Sequence, residues 1–306
     1  METNFANKIS FHWAIIGLLV VSIVWGTSYG VSKQILNQLT VVELLLIRFV
    51  ISCAVLLSVI YFKQQIRMFT SQWRRYLQVG ISTGLILSCI FLTETWAVKL
   101  VQAGQVAVLI SLCVLFTPLL ETAWLKVKLP KGIMLFCSIG FTGLVMIASP
   151  SELSIDLGVG LVIIAALLRA VMVVTCRKAF TKTPLQIEII TLIQLSVVTL
   201  ISFCLVLLDS ERPALIRTLQ TLNSQDWASL LYLALCCTLL AFFVQNYAVK
   251  HLPASQASLL MGTEPMFGLL FASLFLSETM TPVQWLGCFI VITTTIAACY
   301  KFSAQK

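Results

Sequence analysis

The 306-residue chain has little charge: Asp, Glu, Lys and Arg make up only 10% of it, against about a quarter of a soluble domain. Hydrophobic residues make up 59%. It has two histidines, His12 and His251. It also has no P-loop, no G-x-S-x-G and no H-E-x-x-H, so the usual signatures of nucleotide hydrolysis, serine hydrolysis and zinc proteolysis are missing. A membrane-embedded enzyme would need a clustered nucleophile, metal ligands or an acid/base pair at one membrane face, and the sequence offers none. The ten cysteines form no C-x-x-C pair and sit in or at the ends of apolar runs. They read as small buried hydrophobes, and no metal, cofactor or disulfide is expected. Nor is there length left for a soluble domain, because the longest connection is roughly 209–225.

What remains is almost entirely apolar run. Ten such runs cover about 13–32, 42–62, 76–97, 103–125, 133–149, 157–176, 185–208, 226–248, 254–276 and 282–300. A helix of about 20 apolar residues crosses a hydrocarbon core of about 30 Å, so the runs predict an all-α integral membrane protein with ten transmembrane helices. The first run is read as a span rather than a cleaved leader, since no small-residue cleavage site follows it before Lys33. With the N-terminus placed inside, 14 Lys and Arg residues fall on the cytoplasmic side and 4 outside (Lys33, Lys99, Arg212 and Arg217). That bias predicts both termini in the cytoplasm of a bacterial inner membrane. The net charge of +8 is therefore a topology signal, and no nucleic-acid partner is expected.

One segment occurs twice. Residues 94–105 read E-T-W-A-V-K-L-V-Q-A-G-Q, and residues 245–256 read Q-N-Y-A-V-K-H-L-P-A-S-Q. Ala97, Val98, Lys99, Ala103 and Gln105 recur 151 residues later, with Trp96 answered by Tyr247. Lys33 and Glu43 are echoed by Lys178 and Glu188 at an offset of 145. The chain divides into two five-helix repeats, 1–150 and 151–306, and an odd number of crossings per repeat makes them inverted. Duplicated, inverted halves are common in secondary transporters, with the site at the repeat interface. Gly26 with Gly30, and Gly80 with Gly84, form G-x-x-x-G patterns that let helices approach closely. Pro118 and Pro265 lie in paired spans and are expected to kink them.

Charges at membrane depth are costly and mark function or internal pairing. Arg169 and Glu264 fall near the midplane and are expected to meet. Arg48 and Glu94 fall in the outer third and are expected to form a second pair. Glu121 falls in the inner third. Glu94 aligns with Gln245, which places these two at opposite mouths of a two-gated path. Trp25, Thr27, Ser28, Tyr29, Trp96, Asn246, Tyr247, Gln256 and Thr263 complete the candidate substrate contacts. Aromatic faces suit apolar or cationic groups, and amides suit ammonium or carboxylate.

At these residues the chain resembles the EamA-type branch of the drug/metabolite transporter superfamily. The resemblance rests on W-G-T-S-Y-G in the first span, Arg48, E-T-W-A-V-K, and Q-N-Y-A-V-K followed by G-T-E-P-M-F-G and L-F-L-S-E. Glu264-Pro265 and Glu278 stand where the family has its ninth-span E-P and terminal Glu. Gly104 and Leu112-Cys113 replace the small and acidic positions of the second copy, so the halves are not chemically equivalent. The resemblance implies a ten-helix bundle around a central cavity and export of small metabolites, often amino acids. The resulting expectation is an alternating-access transporter whose partners are a small-molecule metabolite and the lipid bilayer. Glu264 or Glu94 is a candidate proton carrier. An exporter of cationic drugs or another metabolite, a channel, and a membrane-embedded enzyme are the alternatives.

Overall fold

The computed structural model describes residues 2–62, 72–129, 131–147, 156–183, 185–208, 219–275 and 280–303. Among them every assigned element is helical. The first half contains α1 (Glu2–Ile35), α2 (Val41–Phe62), α3 (Trp73–Leu100), α4 (Ala103–Ile110), α5 (Cys113–Leu125) and α6 (Ile133–Ile147). The second contains α7 (Leu157–Lys182), α8 (Ile187–Leu208), α9 (Ser224–Ala234), a six-residue π-helical segment (Leu235–Leu240), α10 (Ala241–His251), α11 (Ala254–Met261), α12 (Glu264–Phe275) and α13 (Pro282–Ser303). Glu278 and most of the 209–225 connection lie outside the described residues.

Among the described residues, eight stretches are long and apolar enough to cross a membrane, counting α4–α5 as one stretch and α9–α10 as another. The 15-residue α6 is apolar but shorter. The α11–α12 pair is interrupted by a turn at Gly262–Thr263, and α4–α5 by one at Ser111–Leu112. These breaks fall at corresponding places, but both lie ahead of the prolines. Pro118 is inside α5. Pro265 is the second residue of α12, in the first turn, where its missing N–H leaves no intrahelical bond unmade.

The two halves interlock rather than lie side by side. α3 packs on α7 and α8, α2 on α8, α1 on α10 and α12, and α6 on α13. Glycine makes the closest of these approaches. A Cβ on Gly26 would lie 2.6 Å from the Glu264 carbonyl oxygen and 2.8 Å from the Gly268 nitrogen, so α1 and α12 touch backbone to backbone. Gly143 and Gly287 join α6 to α13 in the same way. Gly80 and Gly84 seat Ile193 and Val197 of α8. Gly30 faces open space, so the first G-x-x-x-G contributes one contact residue rather than two.

Candidate functional site

The polar centre of the bundle is a narrow cavity of about 30 Å³ bounded by α1, α2, α3, α7 and α10. It has room for two or three waters, at about 10–15 Å³ each on this measure. α3 supplies Leu87, Ile90, Phe91, Glu94, Thr95 and Val98. Their spacing of three and four residues is one face of a helix.

Arg169 and Glu264 meet as expected. Arg169 Nη2 lies 2.5 Å from Glu264 Oε1, and Nη1 lies 3.2 Å from Oε2. The side chains are only 9% and 1% exposed. The Tyr29 hydroxyl donates to Glu264 Oε2 at 3.2 Å. The Arg169 guanidinium also lies 4.3 Å from the Trp25 ring centroid, a cation–π contact. Glu264 is the first residue of α12, so its carboxylate sits at the positive end of a helix dipole as well.

Arg48 and Glu94 do not form the expected ion pair. Both line the cavity, but among the described residues the Arg169–Glu264 pair is the one within salt-bridge distance. Arg48 turns instead to the π segment. Its Nε donates to Thr238 Oγ1, and its Nη2 donates to the Cys237 carbonyl at 3.2 Å. The Cys237 carbonyl also accepts from Trp25 Nε1–H at 2.8 Å, and Ser52 Oγ donates at 2.8 Å to the carbonyl of Ala234, the residue just before the segment. A π turn loosens the regular ladder, and side chains of α1 and α2 take up the carbonyl groups it presents.

Glu94 and Gln245, expected at opposite mouths, both line this one cavity. Trp25, Ser28 and Tyr29 line it too. Trp96 and Tyr247 do not. Two residues along a helix is about 200° of rotation, so residues 96 and 247 face away when 94 and 245 face in. Trp96 is 43% exposed, with Lys99 Nζ 5.5 Å from its ring, and Tyr247 borders an outer apolar groove with Trp13 and Ile16. Asn246 is buried against α8, donating to Thr191 Oγ1 and Gln194 Oε1. Thr27 is within 2.5 Å of the Tyr232 hydroxyl, and Thr263 donates to the Leu260 carbonyl. Gln256 lines a separate basic cavity with Lys126, Lys178 and Lys182. Glu121 caps α11 there, accepting from the Ala254 and Ser255 amides at 2.8 and 2.9 Å.

Sequence reasoning missed an aromatic row. Phe49 and Phe91 are 4.8 Å apart, Phe91 and Phe242 5.6 Å, and Phe242 and Trp25 5.5 Å, measured between ring centroids. Arg48 lies over Phe91 at 4.9 Å, so the row carries a guanidinium toward each end. A signal was present, because Phe91 and Phe242 stand at the same 151-residue offset as Glu94 and Gln245.

A bundle of long apolar helices with paired charges and aromatics at its centre is the build of a multi-pass membrane transport protein. Comparison with known proteins narrows the class. The EamA-like transporter family matches residues 12–149 and again 156–299, and the chain belongs to that family. An uncharacterized transporter of Archaeoglobus fulgidus is 22% identical over 93% of this chain and 85% of its own length. An uncharacterized transporter of Haemophilus influenzae is 41% identical over 61 residues, which span 20% of this chain and 36% of that protein. A protein crystal structure superposes with a TM-score of 0.74 over 93% of this chain and 96% of the other, at 16% identity; this likeness concerns the fold alone.

Proposed function

We propose that this EamA-family transporter moves a small zwitterionic metabolite of the amino-acid class outward across a bacterial inner membrane by alternating access. Two inverted five-helix repeats, 1–150 and 151–306, cross the membrane ten times with both termini in the cytoplasm. The separate family matches in each half support the repeat reading. So does the cavity lining, where Phe91 faces Phe242 and Glu94 accompanies Gln245, each pair 151 residues apart. Trp25 and Arg169 are likewise related, at 144 residues. The small volume of the cavity supports moving parts, because a metabolite enters only if the helices around it separate.

The observation that carries the substrate class is the difference between the two carboxylates. Glu264 is spent on Arg169 and Tyr29. Glu94 lines the cavity with no cation in salt-bridge range among the described residues; Arg169 and Arg48 act on it only at longer range, and it is the natural partner of a cargo ammonium. Arg48 Nε and Nη2 are engaged, leaving Nη1 for a cargo carboxylate. The aromatic row covers the apolar part. Export, rather than import, follows the family resemblance. Whether a proton accompanies the cargo is read from transport with and without an imposed proton gradient.

The test is counterflow in proteoliposomes with a panel of amino acids and their amine and carboxylic-acid analogues. Uptake of zwitterions, with both singly charged analogues at least tenfold poorer, is the expected result. A second reading has its own support: the aromatic row and Glu94 alone would suit a hydrophobic cation. Under it Arg48→Gln spares transport and the amine analogues outperform the zwitterions.

A further inference from the structure

The helices around the cavity are fastened at both ends by the same device. Lys33, in the last turn of α1, donates from Nζ to the carbonyls of Val98 at 2.7 Å, Lys99 at 3.1 Å and Val101 at 2.9 Å, at the C-terminal end of α3. Arg177, near the end of α7, donates from Nη1 to the carbonyls of Val249 at 3.1 Å and Lys250 at 2.7 Å, at the C-terminal end of α10. The acceptors correspond: Val98 with Val249 and Lys99 with Lys250, each at an offset of 151. Lys33 and Arg177 are 144 residues apart, the offset that relates Trp25 to Arg169. The echo of Lys33 is thus Arg177, one residue before Lys178.

The last carbonyls of a helix have no partner in their own helix and carry the negative end of its dipole. Ordinary capping satisfies them from the same helix. Here α3 has a lysine of its own in the last turn, but Lys99 Nζ lies over the Trp96 ring, and the cation comes from a different helix. The bond therefore ties one cavity wall to another. It does so at the rim, since Ser32 and Val98 both line the cavity. At the other end Arg177 borders the basic cavity of about 590 Å³, two turns beyond Arg169. The fastening suits release. Backbone carbonyls are fixed acceptors, and a freed ammonium or guanidinium at the membrane face exchanges its bonds for water at small net cost.

We propose that Lys33 and Arg177 are paired latches of the transport cycle. Lys33 releases α3 when the cavity opens at the α1–α3 end. Arg177 releases α10 when it opens at the opposite end. Both are fastened in this structure, in keeping with its closed centre. The proposal rests on the alternating-access reading.

The experiment places a single cysteine in the cavity, Ser28→Cys, in a transport-competent background with the ten native cysteines replaced. An impermeant thiol reagent is applied to each face separately, in right-side-out and inside-out vesicles. Lys33→Met should speed labelling from the α1–α3 face by about tenfold, the scale of one net charge-assisted hydrogen bond, and slow it from the other. Arg177→Met should do the reverse. Lys33→Arg and Arg177→Lys keep the donor and should label like the parent, which separates a latch from a general loss of packing. Labelling of the parent cysteine equally and at once from both faces would overturn alternating access itself. Parent labelling that is sided and cargo-dependent, yet unmoved by either methionine or moved in the same direction by both, overturns the latches alone.

Discussion

Breaking the Arg169–Glu264 pair should be costly in a direction the geometry dictates. The two side chains share contacts of 2.5 and 3.2 Å and are almost wholly buried. Removing one member of such a pair leaves a buried charge and costs about 3–5 kcal/mol. The two members are not equally supported. Without Arg169, Glu264 keeps the Tyr29 hydroxyl and the N-terminus of α12, where a carboxylate gains about 0.3–1 kcal/mol and more when partly buried. Without Glu264, Arg169 keeps the face of Trp25, worth up to about 2 kcal/mol, and a longer-range attraction to Glu94 across the cavity, with no hydrogen-bonded carboxylate among the described residues. Glu264→Gln should therefore destabilise more than Arg169→Met, although it changes shape less. The double variant Arg169→Met/Glu264→Gln removes both charges and should recover most of the loss, for a coupling energy of at least about 2 kcal/mol. Unfolding of the four proteins in mixed detergent micelles measures the cycle. Transport separates hub from scaffold, because the double variant should fold and stay inactive. Single losses that add within about 0.5 kcal/mol, or an Arg169→Met variant less stable than Glu264→Gln, would refute the reasoning.

Glu94→Gln should leave stability within about 1 kcal/mol, as no ion pair is lost, and raise the KM for an ammonium-bearing cargo at least tenfold; an unchanged KM with intact transport removes Glu94 from recognition. Gly26→Ala should cost about 1–3 kcal/mol by overpacking α1 against α12, whereas Gly30→Ala, with nothing within 4 Å, should be neutral or stabilising by up to about 1 kcal/mol; thermal unfolding of the purified proteins compares them, and equal losses would defeat the packing argument. Topology is checked with impermeant reagent on sealed cells. Gln220→Cys should label and Lys128→Cys should not, following the 14-to-4 distribution of basic residues.

The parts legible in sequence are those set by composition and depth. Apolar runs mark the helices, and the cost of charge at membrane depth singles out Arg169 and Glu264 as partners. Letter-by-letter repetition was less reliable. The recognised segment, 94–105 and 245–256, took in Trp96 and Tyr247, which face away, and stopped short of Phe91 and Phe242, which repeat identically at the same offset and face the cavity. A repeated motif reports common descent of a segment. Helical phase decides which of its residues face inward, and the three- and four-residue spacing from Leu87 to Val98 carried that information. The true partner of Arg48 was not legible at all, because L-C-C-T-L-L at 235–240 gives no sign of a π turn.

That π segment breaks the symmetry on which the proposed mechanism otherwise rests. Its counterpart by the 151-residue offset, residues 84–89, lies inside the uninterrupted α3. There Gly80 and Gly84 hold α3 close against α8, which leaves little room for the extra residue a π turn inserts. In the second half the turn is wedged open by groups from other helices: Trp25 and Arg48 on the Cys237 carbonyl, and Ser52 on that of Ala234. Part of its hydrogen bonding is therefore supplied by α1 and α2 and would be lost if those helices moved away. If the halves exchanged conformations as strict mirror images, α3 would have to acquire a π turn that its packing resists. Under the proposed alternating access, bending would then concentrate in the α9–α10 rod. Backbone amides of 235–240 should exchange with deuterium faster than those of 84–89, and Ser52→Ala should widen the gap by freeing one carbonyl. Equal protection of the two stretches, unchanged by Ser52→Ala, would mean that the π turn is a rigid part of the scaffold and that the halves flex alike.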